Sequence, residues 1–259
     1  MTTFLFNEII FGPVFSRRLG ISLGINLLPS GEKLCNFNCI YCECGFTGSV
    51  RNCIGKLPSR AEVKDALKVR LTEISMRVEE LDMITFAGNG EPSLHPDFPG
   101  IIEDTIELRN SNFASAGIAV LSNATTINKE SIFKALTKVD YSILKLDSGS
   151  AEHIRIINHP QSEFNIDELT NNLKKFQGKL TIQTLFLKGM YEGREVNNTT
   201  EDSIIPWLKI LEQVKPEMVM VYTFSRSTPV TGLEKIGLDE LKEIAGRVEK
   251  MGIKVQVSG

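Results

Sequence analysis

At 259 residues the chain has room for one large α/β domain or two small ones. Its 42% hydrophobic and 24% charged residues are those of an ordinary globular protein with a substantial core. A formal net charge of −3 gives no general attraction to polyanions, so bulk nucleic-acid binding is not indicated. No apolar run reaches membrane-spanning length, and no basic region followed by an apolar stretch opens the chain. Five cysteines without such a leader argue against a disulfide framework. The expectation is a cytoplasmic protein whose reducing surroundings keep thiolates free to bind iron.

Strand-like and helix-like segments alternate without low-complexity stretches, so the chain reads as a single domain: an N-terminal extension over 1–20 and a core over 21–259. The first strand is predicted over 21–28 and runs into a cysteine-rich loop. Ser59 then caps a helix over 60–80, with Glu62 completing a capping box and Val63, Leu67, Leu71, Ile74 and Val78 forming one core-facing stripe. A strand over 82–87 and a helix over 97–112 follow, then a strand over 118–122 and a helix over 129–138. Further strands are predicted over 141–146, 180–187 and 218–223, with helices between them. A helix over 239–251 and a strand over 253–257 close the pattern. Apolar strands alternating with helices argue for a parallel sheet covered on both faces. Six βα units fall short of the eight of a closed barrel, so the fold class is α/β, a partial (β/α)6 TIM-like barrel.

In such folds ligands sit at the carboxyl ends of the strands. Four polar clusters fall at those ends: the cysteine loop, Gly88-Asn89-Gly90-Glu91-Pro92, Ser122-Asn123 and Asp147-Ser148. Cys35, Cys39 and Cys42 are spaced Cys-x3-Cys-x2-Cys, three thiolates on one short loop with one ligand place left over. An iron–sulfur cube takes four ligands, so such a loop either borrows a fourth or leaves one iron open to a small molecule. Zinc is the competing reading, with Cys44 or Cys53 as fourth ligand, but no second paired ligand set appears and the chain has only three histidines. The two glycines around Asn89 let the backbone turn tightly and approach a ligand without a Cβ in the way. A plain turn is the alternative there, as local caps are for Asn123 and Asp147. Gln183 stands in an otherwise apolar strand and needs partners if it points inward. Paired Arg17 and Arg18 suit either an anionic substrate group or a structural salt bridge, while His95 reads as a packing or capping residue. Cys44 and Cys53 are too few for a second cluster and read as buried or incidental.

The cysteine spacing, with aromatic Tyr41 directly before the last cysteine, resembles the signature of the radical S-adenosylmethionine (SAM) superfamily. The resemblance implies a [4Fe-4S] cluster on Cys35, Cys39 and Cys42, with the open iron chelated by the amino and carboxylate groups of S-adenosyl-L-methionine. It further implies reductive cleavage to a 5'-deoxyadenosyl radical that abstracts hydrogen from an unidentified substrate. Gly88, Asn89, Gly90 and Glu91 resemble the superfamily's Gly-Gly-Glu motif, which receives the methionine ammonium, and bulk at Gly90 is expected to weaken that binding while sparing the cluster. Asn123 and Asp147 match strand ends that bind ribose hydroxyls or the methionine carboxylate, and Gln183 is a further contact to cofactor or substrate. Longer stretches are similar to small stand-alone proteins related to the core of the wyosine-forming tRNA enzymes. They include Gly12-Pro13-Val14, residues 16–20 and 22–26, residues 85–95, Leu146-Asp147, Ile157-Asn158-His159-Pro160 and Leu187-Lys188-Gly189. A reducing partner such as flavodoxin or ferredoxin is implied. The rival functions are a tRNA-modifying radical enzyme and a non-catalytic iron–sulfur or zinc binding protein.

Overall fold

The computed structural model describes residues 4–48 and 55–259, so Cys53 lies outside the described residues. An antiparallel hairpin, β1 (Ile10–Ser16) and β2 (Gly20–Ile25), opens the fold. After the cysteine loop come α1 (Arg60–Met76), β3 (Met83–Phe86), α2 (Phe98–Asn112), β4 (Gly117–Ser122), α3 (Glu130–Leu136) and β5 (Tyr141–Lys145). Helices α4 (Ala151–Ile157) and α5 (Ile166–Lys174) lead to β6 (Thr181–Leu185), then to β7 (Leu187–Tyr191) and β8 (Arg194–Asn197). The chain ends with α6 (Glu201–Val214), β9 (Met218–Tyr222), β10 (Leu233–Lys235), α7 (Leu238–Glu249) and β11 (Lys254–Ser258).

Eight strands form one curled sheet in the order β1-β2-β3-β4-β5-β6-β9-β11, parallel from β2 onward. This is a partial TIM-like barrel of six βα units and a last strand. Its two edges meet where the Gln256 side chain of β11 donates to the carbonyl of Arg18 in the β1–β2 turn, at 3.4 Å. Alternation along the strands divides the side chains. Outward residues such as Leu23, Ile84, Val120, Leu144, Ile182 and Val219 pack with Leu71, Phe98, Trp207 and Leu241 of the helices in the main core. Truncating one of these buried leucines to alanine costs roughly 2–5 kcal/mol. Inward residues Met83, Ala119, Ile143 and Met220 form a separate apolar plug with Leu19, Leu121 and Met218. The plug fills one end of the barrel interior, and the polar residues lie beyond it.

Three elements depart from the sequence reading. Residues 10–16, taken as part of an extension, are the edge strand of the sheet. Pro13 hides them, because proline is compatible with a strand only at an edge or bulge, and the register does shift between Phe11 and Val14. Helix α1 has the expected capping box but ends at Met76, and Val78 is 90% exposed instead of joining the stripe. Val78 donates to the Ser75 carbonyl and Glu79 to that of Ile74, a Schellman stop whose left-handed position, φ 56°, is held by valine and not by the usual glycine. The predicted strand over 180–187 breaks after Leu185, and β7 pairs instead with β8 and β10 in a small second sheet. The Asn198 side chain pins that corner, accepting from Leu187 N at 2.8 Å and donating to the carbonyls of Leu185 (2.8 Å) and Asp147 (2.9 Å).

Helices α1 and α2 are tied by a forked ion pair from Arg60 to Asp104 at 2.6 and 3.0 Å, joined by Lys64 at 3.1 Å. The Arg60 hydrogen bonds hold the Asp104 carboxyl below its ordinary 3.8. Because the folded value lies below the unfolded one, the stabilisation is present above that pH and is lost as pH falls through the folded value. Asp104→Asn is therefore expected to lower the urea midpoint at neutral pH. The gap to the wild type should close as the pH falls below 3.8.

Candidate active site

The cysteine loop is stitched down on both sides. On one side Leu34 N donates to the Asn89 carbonyl (2.8 Å) and Glu91 N to the Leu34 carbonyl (3.1 Å), which fastens the loop to the glycine-rich turn after β3. On the other, Asn38 N bonds His159 O (3.1 Å), Ile40 N bonds Ile157 O (2.9 Å) and Gln161 N bonds Asn36 O (2.9 Å). The close approach explains the glycines. A Cβ on Gly90 would lie 1.9 Å from the Leu34 carbonyl oxygen, and one on Gly88 would lie 2.4 Å from Asn26 Oδ1. Both also have positive φ, 147° at Gly88 and 135° at Gly90.

Cys35, Cys39, Cys42 and Cys44 all border one cavity of about 500 Å³ at the carboxyl ends of the strands. Cys35 Sγ accepts from Phe37 N (3.4 Å) and Asn123 Nδ2 (3.6 Å), and Cys39 Sγ accepts from Asn158 Nδ2 (3.4 Å). Buried Lys33 donates to the Gly45 carbonyl at 2.8 Å beside the same sulfurs. Burial works against its charge, but Cys42, Cys35 and Cys39 outweigh it and hold the ammonium above its ordinary pKa. The Cys44 thiol, as hydrogen-bond donor, and the Lys33 ammonium bring Cys42 down to about 5 against its burial, while burial pushes Cys35 up to about 12. Amide and ammonium donors converging on three sulfurs suit thiolates that carry negative charge. The donor set and spacing thus fit a three-cysteine iron–sulfur site.

Behind the loop, Tyr41 donates its hydroxyl to Asp147. Asp147 also accepts from Asn158 Nδ2 (2.6 Å) and Leu185 N (2.9 Å), and the Lys145 ammonium lies 3.6 Å away. The carboxylate is fully partnered and does not border the cavity. Glu91, equally buried, accepts from Ser122 Oγ (2.8 Å), Asn123 N (2.6 Å), Ser93 N (3.1 Å) and the Ser93 hydroxyl. Burial raises its pKa and these donors oppose the rise. Asn89 is turned away as well, its side chain bonded to both backbone groups of Phe6 and to the Pro29 carbonyl, each at 2.8 Å.

The candidate residues therefore fall into two groups. Tyr41, Gly88, Gly90, Glu91, Asn123, Gln183 and the three signature cysteines border the cavity, whereas Asn89 and Asp147 lie behind it. His95 is structural, bonded to the Pro58 carbonyl (2.7 Å) and to Asp97 N (3.1 Å). Sequence reading missed Lys33, Lys145 and Tyr222, which also face the cavity. The signal for Lys145 was available, since a lysine two residues before the strand-end Asp147 alternates onto the inner face of β5.

The fold and the site define a radical SAM protein. A model of the radical SAM superfamily matches residues 33–198, well over half of the chain, and the chain belongs to that superfamily. The cofactors of that superfamily are a [4Fe-4S] cluster and S-adenosylmethionine. Among curated relatives, a UPF0026 protein of Methanocaldococcus jannaschii is 29% identical over 219 residues, 83% of this chain and 63% of the relative. A protein of Brachyspira hyodysenteriae named GTPase Obg is 29% identical over 238 residues, 90% of this chain. The chain spans only 32% of that relative, and the Gly-x4-Gly-Lys-Ser/Thr motif of a GTPase is absent from these 259 residues. Two solved structures share the fold: a radical SAM methyltransferase from Sphaerobacter thermophilus (12% identity, TM-score 0.65, covering 92% of this chain and 65% of that one) and archaeal TYW1 (14%, 0.52, 88% and 71%).

The stitching overturns one expectation. Since a side chain at Gly90 strikes the backbone immediately before Cys35, Gly90→Val is expected to disturb the cysteine loop itself. Iron retained after anaerobic reconstitution should fall together with thermal stability, instead of ligand affinity falling alone.

Proposed function

We propose that Cys35, Cys39 and Cys42 hold one [4Fe-4S] cluster and that its remaining iron takes the amino and carboxylate groups of S-adenosylmethionine. The observation that carries this reading is the pair of Leu34 hydrogen bonds, which brings the three thiols and the Gly88 and Gly90 backbone to one cavity. Reductive cleavage of S-adenosylmethionine to a 5'-deoxyadenosyl radical, which takes hydrogen from a substrate, is the chemistry these cofactors supply.

The chain's own residues bind, orient and exclude water. The Gly90 carbonyl is assigned to accept the methionine ammonium, because Asn89 O already accepts from Leu34 N and Gly88 O from Gly90 N and Cys44 Sγ. Glu91 is assigned to holding that turn against Ser122 and Asn123 rather than to ligand contact, since its oxygens are already occupied. Asn123 and Gln183, facing the cavity, serve ribose or carboxylate oxygens of the cofactor. Asp147 acts through Tyr41 as a positioning residue, and Asn89 acts in the same way through Phe6 and Pro29. The apolar plug closes one end of the barrel to water, which keeps a reactive intermediate from side reactions. The electron comes from a small reducing protein of the flavodoxin or ferredoxin kind.

Anaerobic reconstitution tests the assignment. The wild type should bind close to one cluster, Cys35→Ala, Cys39→Ala and Cys42→Ala should each abolish it, and Cys44→Ala should retain it. With dithionite, S-adenosylmethionine should give 5'-deoxyadenosine and methionine slowly even without substrate. Zinc without acid-labile sulfide in the purified protein would contradict the proposal.

A further inference from the structure

The barrel interior carries a charge that the cofactor reading does not use. Beyond the apolar plug runs a belt of donors: the Ser22 and Thr85 hydroxyls, 2.7 Å apart, then Lys145, Gln183 and Tyr222, and Arg18 from the β1–β2 turn. Lys145 Nζ lies 3.4 Å from the Tyr222 hydroxyl, which in turn lies 3.5 Å from Gln183 Oε1. The Arg18 guanidinium sits over the Tyr222 ring, 4.5 Å from its centroid, and the Lys145 ammonium is 5.9 Å from the same centroid.

The other cations at this cavity have assigned charge or hydrogen-bond partners, Arg17 through its donation to the Gly259 backbone oxygen. Arg226 pairs with Glu43 at 2.8 Å, Lys33 lies among the cysteine sulfurs, and Lys145 has Asp147 at 3.6 Å. Arg18 has no counter-charge among the described residues, and its Nη1 is buried without any hydrogen-bond partner there. A buried, unpaired guanidinium nitrogen forfeits its hydration for nothing unless a ligand supplies the acceptor. Glu91 does not supply it, because both of its oxygens are taken by Ser93, Ser122 and Asn123. Guanidinium and ammonium groups converging on one aromatic ring make a receptor for an anion with several oxygens.

We infer that the substrate carries an anionic oxygen group, a carboxylate or a phosphate, seated in the barrel interior against Arg18, Lys145 and Tyr222. The group fixes one end of the substrate and so sets which of its hydrogens faces the cysteine side of the cavity. This deepens the proposed function and rests on it for the chemistry, but the anion site itself is readable without turnover.

The test uses the reconstituted protein with its cluster oxidised and S-adenosylmethionine saturating, titrated with inorganic phosphate or with acetate and followed by ligand-detected magnetic resonance. The expected result is saturable binding of at least one of the two, with the tighter anion identifying the source. Arg18→Gln should weaken it by about tenfold or more, the loss of a charge-assisted contact, and Lys145→Met should weaken it likewise. Cluster content and S-adenosylmethionine affinity of Arg18→Gln should match the wild type. Equal anion affinity in wild type and Arg18→Gln would overturn the inference, as would no saturable binding of either anion. Loss of S-adenosylmethionine affinity in Arg18→Gln, with phosphate competing against it, would assign the site to the cofactor's own carboxylate and overturn it as well. A failure of the cofactor reading would show separately, as missing iron and sulfide.

Discussion

Two backbone hydrogen bonds at Leu34 are the constraint on which the site depends. A three-cysteine loop has no regular structure of its own, and eight residues carrying three thiols would sample many arrangements if tethered only at their ends. Pairing Leu34 with Asn89 and Glu91, and residues 36–40 with 157–161, converts the loop into something close to a strand between two others. The requirement propagates outward. Glycine is needed at position 90 because the partner carbonyl lies where a Cβ would stand, and Glu91 must be buried and fully bonded because it anchors the turn that carries the pairing.

Electrostatics follow from the same geometry. The cavity collects the cysteine sulfurs and Lys33 on one side and Arg18 and Lys145 on the other, with Glu91 at its wall and Asp147 behind it serving as struts. Asp147 illustrates the division. Removed from the cavity, it holds the Tyr41 ring beside the cysteines, accepts from Asn158, which also reaches Cys39, and offsets Lys145. A charge so close to the cysteines yet fully hydrogen-bonded can orient the loop without competing for a cationic ligand.

Much of this was legible in the sequence because the signals were local. The Cys-x3-Cys-x2-Cys spacing, the capping box at Ser59 and the alternation of strands with amphipathic helices depend on neighbours a few residues apart. What escaped depends on distant partners. Asn89 was read as part of a ligand-binding turn and Asp147 as a ligand contact at a strand end, but whether a side chain turns into the cavity or behind it is decided by Phe6 and Pro29 in one case and by Tyr41 and Leu185 in the other. The edge strand over 10–16 was obscured by Pro13, and the stop of α1 by a valine in a position that glycine normally marks. Lys145 was passed over because a lysine near a strand end usually reaches solvent, although its place two residues before Asp147 sets it on the inner face of β5.

The central claim is that the three cysteines leave one iron for S-adenosylmethionine. Electron–nuclear double resonance of the reduced cluster with S-adenosylmethionine carrying 15N in the amino group and 17O in the carboxylate reads this directly. The account predicts hyperfine coupling from both labels in the wild type. A reduced [4Fe-4S] signal that shows neither coupling at saturating S-adenosylmethionine would mean that the fourth iron is already held by the protein, and would contradict it.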